Sequence, residues 1–144
     1  MFDAEDLRHI EQTNRFRYPP AFWERRQEFA SLAETEWFRA NYPAPRLIGT
    51  HDEVWAAHQA DADLPDDLIP FLIVVGQQFP HYYGFKVLRR GDAGDAELPV
   101  LVWSIHASVH GWDAGFGAFL DELQAQHAKH SQAEPGAASD RGGR

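Results

Sequence analysis

The chain has 144 residues, 44% hydrophobic and 24% charged, with 13 Lys and Arg against 22 Asp and Glu. That length fits one domain able to bury roughly two thirds of its unfolded surface, and the lack of cysteine excludes a disulfide framework, a thiolate metal site and a cysteine nucleophile. A formal net charge of −9 argues against nonspecific DNA or RNA binding, because affinity for a polyanion comes mostly from Lys and Arg neutralising phosphates.

Asp3 is placed to cap a first helix that runs to about Asn14 and carries Leu7 and Ile10 inward. Tyr18-Pro19-Pro20 breaks it, and Pro20 suits the first turn of a second helix. Phe22, Trp23, Arg26, Phe29, Ala30 and Ala33 follow at three- and four-residue spacing, an aromatic stripe expected in the core, with the helix continuing through Trp37 and Phe38 to Tyr42-Pro43. Arg46-Leu47-Ile48 reads as a short strand. Thr50 and Glu53 have the spacing of a reciprocal helix cap, and the helix they open fades near Ala60. Leu68–Val75 reads as a buried strand. Phe79–Leu88 reads as a second strand, with Tyr83, Phe85 and Val87 on one face and Tyr82, Gly84 and Lys86 on the other. Gly91–Asp95 is a turn, and Leu98–Ile105 is a third strand whose near-continuous apolar run points to a central place.

After a His106–Trp112 connection, Asp113 caps a last helix in which Phe116, Phe119, Leu120 and Leu123 form an amphipathic row. From Ser131 onward the chain is small, polar and glycine-rich, which predicts a folded domain over 1–130 and a disordered tail over 131–144. The order of elements predicts an α+β fold, a mostly antiparallel sheet flanked by helices. No stretch approaches the ~20 apolar residues of a membrane span. Met1–Asp6 is acidic and unlike a signal peptide, so a cytoplasmic address is expected.

The charge is uneven. Between Leu47 and Phe85 there is no Lys or Arg, while Asp52, Glu53, Asp61, Asp63, Asp66 and Asp67 all fall there. Such a face suits a basic partner or simply keeps the protein soluble. Tyr82 and Tyr83 alternate on their strand, so one of the two rings points away from the core. It either packs under a helix or meets a partner.

Three segments at these separations carry a family pattern: Leu64-Pro65-Asp66-Asp67-Leu68-Ile69-Pro70-Phe71 ending at Gly76; Pro99-Val100 with Trp103 and His106; and Phe116 with Phe119-Leu120. Ile10-Glu11 and Tyr18-Pro19-Pro20-Ala21-Phe22-Trp23 extend it forward. From about Ile10 to Leu123 the chain resembles the SUKH superfamily, which takes in fungal cell-wall regulators of the Smi/Knr type and bacterial immunity proteins. It departs in lacking the Gly-Gly that often follows the second helix and in having Gln77 where an acid often follows the glycine. The resemblance implies a SUKH-like domain that binds another protein without cofactor. The leading expectation is an immunity protein that neutralises a basic, nuclease-type toxin domain, and the alternative is a housekeeping or regulatory interaction scaffold. The expected contact residues are Asp61, Asp63, Asp66, Asp67, Glu53 and Tyr82.

Enzyme chemistry finds little footing in the sequence. No serine lies in a G-x-S-x-G context and there is no glycine-rich phosphate loop. His106 and His110 are four apart without the His-Glu-x-x-His arrangement, His51 and His58 lack an obvious third ligand, and His127 and His130 are expected on a fraying helix end. No metal, cofactor or catalytic residue is therefore expected.

Overall fold

The Asp3 carboxylate accepts from the amides of Glu5 and Asp6, and α1 (Ala4–Asn14) follows. The computed structural model describes residues 2–76, 79–87, 98–105, 107–112 and 114–139, except the side chains of 107–110 and 132–139. Past α1 the Glu11 carboxylate organises the break, accepting from the Tyr18 amide at 2.9 Å and the Trp23 indole N–H at 3.3 Å. With Pro20 in its first turn, α2 (Pro20–Ala33) begins. The helix does not continue through Trp37 as expected. Thr35 Oγ1 accepts from the Phe38 amide at 3.1 Å and donates to the Leu32 carbonyl at 2.8 Å, starting a separate α3 (Glu36–Asn41). Threonine offers the backbone this local alternative to helix. The turn brings Phe38 against Phe29, ring centroids 6.0 Å apart.

Five strands form one antiparallel sheet in chain order: β1 (Pro45–Leu47), β2 (Leu68–Val74), β3 (His81–Lys86), β4 (Val100–Ser104) and β5 (Ala107–Trp112). Between β1 and β2 lies α4 (His51–Ala60), and α5 (Phe116–Ser139) closes the fold. The α+β architecture is the expected one. β5 is new, since Ala107–Trp112 reads in the sequence as a connection. Its small and polar residues lack an apolar alternation, and only pairing with β4 (Val100 with Trp112, Val102 with His110) makes it a strand. It is also what gives β4 its central place.

Pro70 lies in β2 past the end of β1, paired with Gly84 of β3, and has no N–H for the ladder. The register shifts between Pro70 and Leu72, so the strand bulges there. Opposite Pro70, a Cβ on Gly84 would lie 2.6 Å from the Ile69 carbonyl oxygen and 2.8 Å from the Pro70 Cα. Only glycine permits that approach. The bulged Phe71 becomes the hub of an aromatic core, with rings 5.1 to 6.1 Å from Phe22, Phe29, Phe85, Phe116 and Phe119. One sheet face thus packs on α2 and α5, whose exposed flanks are tied by Arg25 to Asp121 at 2.8 Å.

The C-terminal segment differs from expectation as well. α5 runs on to Ser139, so 131–139 is helical where disorder over 131–144 was predicted, and 140–144 lies outside the described residues. Extension of an anchored helix is inexpensive through Gln132, Ala133 and Glu134, but Pro135 and Gly136 are poor helix formers, and propensity does not explain the helix beyond them. The turn expected at Gly91–Asp95, the Asp113 cap and Gln77 also lie outside the described residues.

Candidate partner surface

The cap at the start of α4 forms as its spacing predicts. Thr50 Oγ1 accepts from the Glu53 amide at 3.2 Å, and the Glu53 carboxylate accepts from the amides of Thr50 at 3.1 Å and Gly49 at 3.0 Å. Glu53 is half-buried, with its carboxylate turned to its own backbone. Asp52 beside it is exposed, in the first helical turn where an acid is favoured.

Residues 61–67 carry the chain from α4 to β2, pinned by the buried Leu64 and by three backbone hydrogen bonds: Leu64 N–H to the Asp61 carbonyl at 3.0 Å, Leu68 N–H to Pro65 at 3.1 Å and Val87 N–H to Asp67 at 2.8 Å. The four aspartates divide. Asp61 is half-buried, with its charge near enough to raise the Tyr82 phenol, and Asp67 is ion-paired with Lys86. Asp63 and Asp66 are exposed. The ion pair of Asp67 thus ties the loop to the sheet.

Tyr82 is only 3% exposed. It lies on the face opposite Tyr83, against Trp103 at 5.9 Å, whereas Tyr83 meets Phe119 at 5.9 Å. Burial, then the Asp61 charge, pushes the Tyr82 phenol above its ordinary range.

The histidines are dispersed. His58 Nε2 lies 3.0 Å from the Leu68 carbonyl oxygen, the His9 and His51 rings meet at 5.2 Å, and His127 packs on Trp37 at 5.3 Å instead of fraying. Among the described residues, no three His, Asp or Glu are grouped to hold a metal ion, and no helix is long and apolar enough to cross a membrane. The His106–His110 pair falls outside the described residues and side chains.

A feature that sequence reasoning missed adjoins the loop. A groove of about 400 Å³ runs beside α4, between Ala56, Ala57 and Ala60 on the helix and Ile73, Val75 and Tyr82 on the sheet side. Arg46 and Asp52 lie on its walls. The signal was present as three alanines on one helix face, side chains too small to fill the space. On the same helix Trp55 is 59% exposed, and Val75 is 39% exposed.

Compared with models of protein families, with curated proteins and with solved structures, the chain matches none.

Proposed function

We propose that the protein is a non-enzymatic binding module that acts as a cytoplasmic immunity protein, using the acidic loop after α4 to engage and neutralise a basic toxin domain of the nuclease type. One observation carries the reading: exposed carboxylates at Asp63 and Asp66 on a loop tied down by the buried Leu64, by its backbone hydrogen bonds and by the ion pair of Asp67 with Lys86. A solubilising face needs no such fastening. A loop fixed in one conformation loses less entropy when a partner binds. The resemblance of the 64–76, 99–106 and 116–120 segments to SUKH proteins supports the same class, and the fold itself does not choose a function.

The test is protection in cells. A toxin domain encoded beside this chain is co-expressed with it, and growth and complex formation are scored. Wild type protects and co-purifies with the toxin, whereas the Asp63→Asn/Asp66→Asn variant does so less well. A chain that neither protects nor co-purifies with any basic domain contradicts the proposal.

A further inference from the structure

We propose that the groove beside α4 is a docking site for an apolar side chain flanked by Lys or Arg, presented by another protein. The helix offers only methyl groups at Ala56, Ala57 and Ala60 across from Ile73 and Val75, leaving about 400 Å³ open. Val75, itself 39% exposed, lies at this space. An uncovered apolar cleft is a place where a partner's side chain can be buried.

Charge selects the occupant. Asp52, Ala56 and Ala60 follow one another at four-residue spacing, so Asp52 marks one end of the groove, and the loop bearing Asp61 and Asp63 leaves from the other. Asp52 and Asp63 make no ion pair among the described residues. Arg46 is the one cation on the walls, so a guanidinium or ammonium emerging at either end meets a carboxylate. A second copy of the chain is disfavoured, because it has the same acidic rim and the same net charge of −9. Addition of a strand to β1 is disfavoured too. That edge is three residues long, begins with a proline and carries an exposed arginine. Recognition therefore runs through side chains. This inference rests on the protein's being a binding module, and not on its partner's being a toxin.

The experiment uses the full chain, labelled with nitrogen-15, and two capped tripeptides, acetyl-Lys-Leu-Lys-amide and acetyl-Glu-Leu-Glu-amide, followed by amide chemical shifts. The basic peptide should move the amides of Ala57, Ile73 and Val75 saturably, and the acidic one should bind about threefold more weakly or not at all. Ala60→Leu, an exposed helical position where leucine is well tolerated, should fill the groove and weaken the basic peptide about tenfold with the melting temperature unchanged. Asp52→Asn should weaken it about threefold at low salt and little at high salt.

Equal response to both peptides, absence of saturation with the basic peptide, or binding unaffected by Ala60→Leu would overturn the proposal. Groove shifts that grow with protein concentration alone would assign the groove to a second copy and overturn it as well. The growth-protection assay reads separately. Protection without tripeptide binding removes the groove and leaves the module, and tripeptide binding without protection keeps the groove and removes the toxin.

Discussion

At the scale of single residues, the fold depends on a few positions with no slack. Gly84 faces the Pro70 bulge so closely that any side chain must push the strands apart. We expect Gly84→Ala to cost about 1–3 kcal/mol, the usual range for overpacking, measured by urea unfolding; a loss under about 0.5 kcal/mol would mean that β2 and β3 separate freely. Phe119 is fully buried, with rings of Phe29, Phe71, Tyr83, Trp112 and Phe116 around it. Phe119→Ala should cost about 3–5 kcal/mol, and a change below about 1 kcal/mol would contradict this packing. The tyrosines predict a response to base. Burial raises Tyr18, Tyr42, Tyr82 and Tyr83 above their ordinary values. Above a pH of about 10 the unfolded chain loses phenolic protons that the folded chain keeps, so stability should be level below that pH and fall above it. Tyr18→Phe should make the fall shallower. Unfolding free energies from pH 8 to 11.5 would check this, and a flat profile would count against the burial of these rings.

At the scale of elements, the α4 cap joins stability to the candidate surface. Thr50→Ala should cost about 1 kcal/mol while leaving the 61–67 loop, held by its own contacts, in place; paired amide-exchange and melting measurements would separate the two. Much of this level was legible in the sequence. The Asp3 cap, the Pro20 start, the Thr50–Glu53 cap and the Phe116–Leu123 row are local patterns whose physics is complete within a few residues. What escaped was non-local. β5 exists only as a partner of β4, and the α2–α3 break hangs on one threonine hydroxyl with two partners. The same limit applied to the surface. Six acids are visible as a charge run, but that Asp67 is tied to the sheet depends on Lys86, nineteen residues further along the chain. The groove was hidden for a related reason, because an alanine face becomes a cleft only when the facing sheet is known.

At the scale of the whole molecule, an aromatic core on one sheet face carries a loop and groove that are acidic and rigidly held. The central claim is that Asp63 and Asp66 draw in a basic partner through long-range attraction. Stopped-flow association of the co-purified toxin domain with wild type and with Asp63→Asn/Asp66→Asn, at low and high salt, tests it most directly. The account predicts association slowed several-fold at low salt, a difference that shrinks as salt rises past the range where the Debye length falls below about 10 Å. Equal association rates at low salt would contradict it.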